Sequence, residues 1–247
     1  MSAPSASAPP ALAVERLNAW YGAAQVLYDV AFTVGRGEVV ALMGRNGAGK
    51  STTMKAVMGL LARRSGTVLL NGRNISALRP FEIARLGLGF TPEDRRISDL
   101  TVMENLDAGR QPPRAFADGT PAPAWTCEIL FRLFPNLAEM RHRLGGRMSG
   151  GEQQMLTIAR TLMGNPLVVL LDEPSEGIAP VIVEEIADTI VELKKRGLSI
   201  LLSEQNVGFA EIVSDRAYML EKGQIHWGGT MAELAENAEV QRSYLTL

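Results

Sequence analysis

The 247-residue sequence has very little cysteine and histidine, and it has no long hydrophobic run. Cys127 is the only cysteine, so no disulfide can form within the chain, and we expect a reducing compartment. The longest apolar runs, such as residues 167–171, are much shorter than the ~20 residues that a transmembrane helix needs. His142 and His226 are isolated and are interpreted as surface or packing residues. We therefore expect a cytoplasmic protein that reaches a membrane only through a partner.

The sequence also lacks a strong charge of either sign. Lys and Arg number 25 against 27 Asp and Glu, for a formal net charge of −2, which gives no reason to expect a nucleic-acid partner. The amino terminus is rich in Ser, Ala and Pro but lacks the basic and apolar regions of a secretory signal. Residues 1–11 are therefore predicted to be a disordered tail, and residues 12–247 to form a single domain.

The most informative segment is GRNGAGKST, residues 44–52, which has the spacing G-x-x-x-x-G-K-[ST]. An apolar strand is predicted before it and a helix after it, which is the context that this motif requires. Its glycines let the backbone point successive N–H groups at phosphate oxygens, and the helix N-terminus adds partial positive charge. Lys50 can reach the β- and γ-phosphates, and the Ser51 hydroxyl can join a Mg²⁺ shell. The remaining candidate ligand-binding residues of the loop are Gly44, Arg45, Asn46, Gly47, Ala48, Gly49 and Thr52.

A second motif, LVVLLDEP, occupies residues 167–174. Its apolar strand places Asp172 at the carboxyl edge of a sheet, where α/β folds bind ligands. Asp172 can hold Mg²⁺ together with Ser51. Glu173 can orient or deprotonate an attacking water. By itself the acidic pair is equally typical of a helix N-cap, and the phosphate loop is what favours the catalytic interpretation.

A third motif, MSGGEQQ, occupies residues 148–154 and predicts a helix N-terminus with a capping box. Such a terminus is an anion site, although the motif alone also fits a helix that is merely well capped. The candidate binding residues are Ser149, Gly150, Gly151 and Glu152. In their order along the chain the three motifs resemble the signature of ABC-type ATPases. A GTPase would need an N-K-x-D motif, which is absent from the sequence.

The periodicity of the chain predicts alternating strands and helices, and hence an α/β fold with a parallel sheet. Strands are predicted at 12–20, 26–34, 38–43, 67–70, 88–91, 167–171 and 199–202, and helices at 51–61, 81–85, 125–134, 148–164 and 181–196. The resemblance covers about residues 12–245. It implies a P-loop NTPase fold with a RecA-like parallel-sheet core, an antiparallel β subdomain and a helical subdomain at about residues 97–148 that touches a membrane permease.

The resemblance also implies roles for single residues and a mode of assembly. ATP binds with Mg²⁺ in a head-to-tail dimer, between the phosphate loop of one subunit and residues 149–152 of the other. Tyr21 falls where an aromatic ring stacks on the adenine, although the residue also fits a plain turn. Glu93 replaces the glutamine that is usual near the metal, and Gln205 replaces the usual histidine near the γ-phosphate.

Together with PEDRR, LTVMENL, DEPSEGIAP and SEQN, these departures resemble one subgroup, the second ATP-binding subunit of branched-chain amino acid importers. In that subgroup a second, different ATPase subunit and two permeases complete the complex, and a periplasmic binding protein supplies the substrate. A homodimer, an importer of urea, an amide or another amino acid, and a weakly hydrolytic nucleotide-binding partner stay open as alternatives. A soluble ABC protein of DNA repair or translation is disfavoured, because such proteins usually need a second nucleotide domain or a long coiled coil.

Overall fold

The computed structural model describes residues 9–95, 97 and 99–244, so most of the predicted tail lies outside the described residues. Ala11 is buried, and its carbonyl accepts a hydrogen bond from the Asn71 N–H at 2.8 Å. Ordered chain therefore begins before Leu12. The strands are β1 Leu12–Tyr21, β2 Ala24–Val34, β3 Val39–Met43, β4 Arg63–Leu70, β5 Arg73–Asn74, β6 Leu88–Thr91, β7 Val168–Asp172, β8 Ser199–Glu204, β9 Arg216–Glu221 and β10 Gln224–Thr230.

The helices of the described residues are α1 Lys50–Val57, α2 Pro80–Arg85, α3 Val102–Gly109, α4 Cys127–Leu133, α5 Pro135–Glu139, α6 Gly150–Leu162, α7 Pro180–Lys195, α8 Val207–Val213, α9 Met231–Glu236 and α10 Ala238–Tyr244. A short 3₁₀ helix, Gly145–Arg147, precedes α6. No helix among the described residues is long and apolar enough to cross a membrane.

The strands form two sheets. The larger has the order β10-β9-β3-β8-β7-β6, in which β9, β3, β8, β7 and β6 run parallel and β10 is an antiparallel edge. The smaller is antiparallel, with the order β2-β1-β4-β5. The predicted parallel core is thus confirmed, and a separate antiparallel sheet accompanies it.

The central strand β3 is apolar and buried at every position because both faces of the larger sheet are covered. In β3, Val39, Ala41 and Met43 join the core beneath α6 and α7, whereas Val40 and Leu42 join the core shared with α1 and the smaller sheet. This alternation is the period of two that a strand imposes on its side chains. The parallel strands end together at one edge, where the predicted site residues follow them.

Helix α1 is shorter than the sequence pattern predicts, ending at Val57 rather than near Leu61. The N–H of Gly59 donates to the Ala56 carbonyl, and the N–H of Leu60 donates to the Lys55 carbonyl. These two bonds form a Schellman-type terminus, which closes the helix by satisfying its last carbonyls. The chain then turns into β4, which begins four residues earlier than the predicted strand at 67–70.

The sequence patterns predict no element after Leu202, whereas the structure adds β9, β10 and three helices there. The turn between β9 and β10 lies against the phosphate loop. The N–H of Gly223 donates to the Ala48 carbonyl at 2.9 Å, and the carbonyl of Gly223 accepts from the Tyr28 N–H at 2.9 Å. A Cβ at Gly223 would lie 1.9 Å from the Val26 carbonyl oxygen, so only glycine permits this approach.

Candidate functional site

The phosphate loop leaves β3 at Met43 and enters α1 at Lys50, as the motif predicts. Gly44 lies so close to β9 that a Cβ there would be 2.2 Å from the Leu220 carbonyl oxygen. The N-cap of α1 is Gly49, and no side chain caps the helix. The first turn of α1 is therefore available to an anion, as its N-terminal dipole favours.

Lys50 is 3% exposed, and its ammonium group contacts three protein oxygens. It donates to the Gly44 carbonyl at 2.7 Å and to the Arg45 carbonyl at 3.3 Å. It also forms an ion pair with Glu173, with 3.0 Å between Nζ and Oε1. A phosphate that binds Lys50 must therefore replace part of this set of contacts.

Asp172 ends β7 and is 1% exposed. Its Oδ1 accepts a hydrogen bond from the Ser203 hydroxyl at 2.7 Å, whereas Oδ2 is buried and lacks a partner among the described residues. Burial raises the pKa of Asp172, and the hydroxyls of Ser203 and Ser51 and the charge of Lys55 oppose that shift. A buried carboxylate oxygen with spare capacity, beside a serine hydroxyl, fits a hard cation such as Mg²⁺.

No group of three or more His, Cys, Asp or Glu side chains in the described part of the chain could hold a metal ion by itself. Glu93, the other predicted metal-site residue, is exposed and lines the same groove as Asp172.

Glu173 adopts a left-handed backbone conformation, with a φ of 47°. Its N–H donates to both the carbonyl and the hydroxyl of Ser203, at 3.2 and 3.0 Å. Gln205 donates from Nε2 to Glu173 Oε2 at 3.3 Å. The Glu173 carboxylate is thus held between Lys50 and Gln205, and the uncommon backbone conformation aims it there.

A second carboxyl group, Glu176, lies beside Glu173. A hydrogen bond with Glu173 raises the pKa of Glu176 to about 7; burial and the charges of Glu173 and Glu93 add to this shift, and Lys50 opposes it. Sequence reasoning did not predict the contact between Glu176 and Glu173, because that contact depends on the turn after Pro174. Sequence reasoning also did not identify Ser203, which lies on the neighbouring strand β8. Its hydroxyl donates to Asp172 Oδ1 and accepts the Glu173 N–H.

The predicted capping box at the start of α6 is confirmed. Ser149 accepts the Glu152 N–H at 3.3 Å, and the Glu152 carboxylate accepts the Ser149 N–H at 2.7 Å. The Arg95 guanidinium lies beside Gly150, 2.9 Å from where a Cβ would be, and donates to Gln154 Oε1 and to the Glu176 carbonyl. Arg95 lies in the PEDRR segment, where the sequence motifs assign it no role, and it joins the start of α6 to the loop after Glu173.

The structure brings Lys50, Ser51, Asp172, Glu173 and Gln205 together, but it does not bring residues 149–152 to them. Among the described residues, no hydrogen bond or ion pair links Ser149 or Glu152 to the phosphate loop. Tyr21, at the end of β1, is 49% exposed and lines the same groove as Lys55, so a ring face is accessible there.

Comparison with known proteins agrees with this arrangement. The sequence profile of a family described as "ABC transporter" matches residues 27–176, more than half of the chain. The chain belongs to the ABC transporter family. As an ABC ATPase it binds ATP or ADP and hydrolyses ATP, and ABC ATPase subunits of transporters work with membrane permease subunits.

Relatives of this ABC ATPase include importer and exporter subunits. It is 41% identical to the high-affinity branched-chain amino acid transport ATP-binding protein BraG of Pseudomonas aeruginosa, across 95% of this chain and 99% of the relative. It is 37% identical to the lipopolysaccharide export system ATP-binding protein LptB of Haemophilus influenzae, across 95% and 96%. A crystal structure of the ADP conformation of an ATP-binding cassette of an ABC transporter superposes with a TM-score of 0.79 at 26% identity, across 96% and 97%.

Proposed function

We propose that this ABC ATPase powers the import of branched-chain amino acids. The observation that carries the proposal is its 41% identity to BraG over nearly the full length of both chains. A probable branched-chain amino acid transport ATP-binding protein, LivF of Archaeoglobus fulgidus, supports it at 36% identity over 92% of this chain. The similarity to LptB makes lipopolysaccharide export the second candidate. Import of urea, an amide or another amino acid is a further alternative.

In the proposed mechanism Lys50 leaves the Glu173 carboxylate and binds the β- and γ-phosphates of ATP. The phosphate-loop residues from Gly44 to Thr52 bind the remaining phosphate oxygens, and Tyr21 stacks on the adenine. Ser51 and Asp172, with Glu93 nearby, would hold a Mg²⁺ ion, and the ion would supply positive charge that neutralises the phosphates.

Glu173 is the proposed general base. Its carboxylate, once released from Lys50, orients and deprotonates the water that attacks the γ-phosphate. Gln205 holds the opposite oxygen of Glu173 and can donate a hydrogen bond to the γ-phosphate. Since glutamine carries no charge, we infer that Gln205 stabilises the transition state at the γ-phosphate less than a protonated histidine would. If this loss is large, the chain is a weakly hydrolytic nucleotide-binding partner.

The same geometry supports a dimeric site. Ser149, Gly150, Gly151 and Glu152 form an N-terminal anion site on α6, yet the described residues show no bond between them and the phosphate loop of the same chain. We infer that these residues bind ATP held by a second ABC ATPase subunit, arranged head to tail. A heterodimer with a different ATPase is the proposed assembly, and a homodimer is the alternative outcome.

A groove of about 950 Å³ gives a place for the permease. Its walls include exposed Phe81 and Leu60, and it extends to Glu93 and Asp172 at the nucleotide site. We propose that a short cytoplasmic helix of a permease subunit docks there, next to the predicted helical subdomain at about residues 97–148. The ATPase would then lie peripherally on the inner face of the cell membrane, and a periplasmic binding protein would contact only the permeases.

The test is reconstitution of the ATPase with its partner ATPase, the two permeases and the binding protein in vesicles. ATP-dependent accumulation of leucine, isoleucine or valine, abolished by Glu173→Gln, is expected. Accumulation of urea or an amide instead would support the alternative importer, and ATP-dependent extraction of lipopolysaccharide from vesicles would support the exporter. Hydrolysis that responds to none of these substrates would contradict the proposed transport function.

A further inference from the structure

Glu204 is a fully buried carboxylate for which the mechanism above has no role. It is the last residue of β8 and is 1% exposed. Its Oε1 accepts the N–H of Ser175 at 3.1 Å. Its Oε2 accepts the N–H groups of Gln205 and Asn206, each at 3.1 Å. The Ser175 hydroxyl adds a further hydrogen bond to the same group.

These contacts join two loops that leave neighbouring strands. One loop follows β7 and contains Glu173, Ser175 and Glu176; the other follows β8 and contains Gln205 and Asn206. The two loops meet elsewhere through Ser203, which bonds Asp172 and Glu173, and through Gln205, which bonds Glu173. Glu204 adds the connection beyond Glu173, at Ser175.

Burying a carboxylate is unfavourable unless hydrogen bonds compensate for the lost water. At Glu204 the compensation comes from backbone N–H groups of both loops, since burial raises its pKa and the bonds from Ser175, Asn206 and Gln205 oppose the shift. An apolar side chain at this position would leave the N–H groups of Ser175, Gln205 and Asn206 without this acceptor. The carboxylate therefore holds the two loops in one fixed relation.

We propose that Glu204 is a positioning residue for ATP hydrolysis. It fixes the loop that bears Gln205 against the loop that bears Glu173 and Ser175, so that base and γ-phosphate donor keep their relative geometry. This proposal rests on the base and donor roles proposed above for Glu173 and Gln205.

The first test compares Glu204→Gln, Glu204→Asp and the control Glu38→Gln in the full-length protein and in the reconstituted complex. In Glu204→Gln an NH₂ group replaces one carboxylate oxygen, and this group cannot accept a hydrogen bond from the backbone N–H donors of the two loops. Aspartate can still accept the Asn206 N–H, as in an Asx turn, but it is too short to bridge to Ser175. Glu38 accepts the Gly35 N–H and pairs with Arg216 at the opposite end of β3, so its substitution reports the cost of losing a partly buried carboxylate away from the nucleotide.

We expect kcat to fall about tenfold to hundredfold in both Glu204 variants, as a small misplacement of reacting groups does. The Kd for Mg-ATP should stay within about twofold to threefold, because Glu204 bonds the loops at Ser175, Gln205 and Asn206 rather than the phosphate loop. The Glu38 variant should lose stability to urea but keep its kcat. Full kcat in Glu204→Asp, equal losses of kcat and ATP affinity, or a matching kcat loss in Glu38→Gln would overturn the proposal.

A milder variant keeps the test decisive if Glu204→Gln does not fold. Ser175→Ala removes only the hydroxyl bond to Glu204, and we expect about a fivefold lower kcat with unchanged Mg-ATP affinity. An unchanged kcat in a folded Ser175→Ala and a folded Glu204→Asp would refute the positioning role. The hydrolysis measurements decide this proposal, whereas substrate accumulation in vesicles decides the proposed function, so the two can fail separately.

Discussion

Replacing Glu173 with glutamine should slow hydrolysis and tighten ATP binding at the same time. In the structure Glu173 pairs with Lys50 at 3.0 Å, and both side chains are less than a tenth exposed. At an effective dielectric constant of about 20 the Coulomb attraction at this distance is roughly 5 kcal/mol. Desolvation offsets much of it, and removing one partner of a buried pair typically costs about 3–5 kcal/mol.

Lys50 keeps its contacts with the Gly44 and Arg45 carbonyls in the Glu173→Gln variant. We therefore expect a loss of unfolding free energy near the lower limit, about 3 kcal/mol. ATP no longer competes with a carboxylate for Lys50, so the Kd for Mg-ATP should fall about tenfold to hundredfold. Loss of the base should slow the chemical step by about 10²–10⁴-fold.

Three measurements check this prediction: equilibrium binding of Mg-ATP, single-turnover hydrolysis, and urea unfolding with and without ATP. A double-mutant cycle with Lys50→Met isolates the pair energy. Glu192→Gln is the matched control, because Glu192 pairs with Lys195 on the exposed surface of α7 and its loss should change little. Normal turnover in Glu173→Gln would show that another group positions the water. Unchanged affinity and stability would refute competition for Lys50.

Four further predictions concern Lys50, Glu176 and the chain without its partner. Lys50→Ala should lose a charge-assisted phosphate contact of roughly 1.5–3 kcal/mol, and unchanged ATP affinity would contradict the phosphate-loop assignment. Its unfolding must be measured too, because Glu173 loses its partner. In the assembled complex, we compare Lys50→Ala with the matching lysine substitution in a partner ATPase that has histidine at the Gln205 position. Lys50→Ala should reduce hydrolysis less, and equal losses would contradict a difference in activity between the two ATP sites. The dilute chain alone should bind ATP but hydrolyse it slowly, and full activity without a partner would contradict the composite site. Since the folded-state pKa of Glu176 is raised from 4.5 to about 7, its protonated form stabilises the fold; this contribution is complete below pH 4.5 and is lost as pH rises through about 7. Glu176→Gln should weaken that pH dependence in thermal unfolding between pH 5 and 8, and an unchanged profile would assign it to other groups.

The sequence predicts those parts of the fold whose causes are local. The phosphate loop, the capping box at Ser149 and the apolar strand before Asp172 each follow from a few adjacent residues. Their side-chain and backbone requirements are met within one turn or one strand, so spacing alone identifies them. The individual binding and catalytic roles stay predictions that the experiments above test.

The parts that sequence could not predict depend on contacts between distant segments. In the sequence Glu204 is an acidic residue shortly after the predicted strand 199–202, and no motif marks it. Its position between two loops follows from its contact with Ser175 of the neighbouring loop. The pKa of Glu176 depends on the turn that returns it to Glu173. The position of Gln205, by contrast, could be predicted. The resemblance places it near the γ-phosphate, and in the structure it donates to Glu173.

The turn at Gly223 has a consequence for the order in which the protein is made. Gly223 donates to the Ala48 carbonyl, and the neighbouring Leu220 packs against Gly44, so the phosphate loop is supported by residues near the carboxyl end of the chain. A ribosome-bound chain therefore carries the complete GRNGAGKST motif long before the residues that support it emerge. Nascent chains that stop before β9 should lack a stable nucleotide site, and ATP should stabilise the fold only after β9 and the turn at Gly223 have been synthesised.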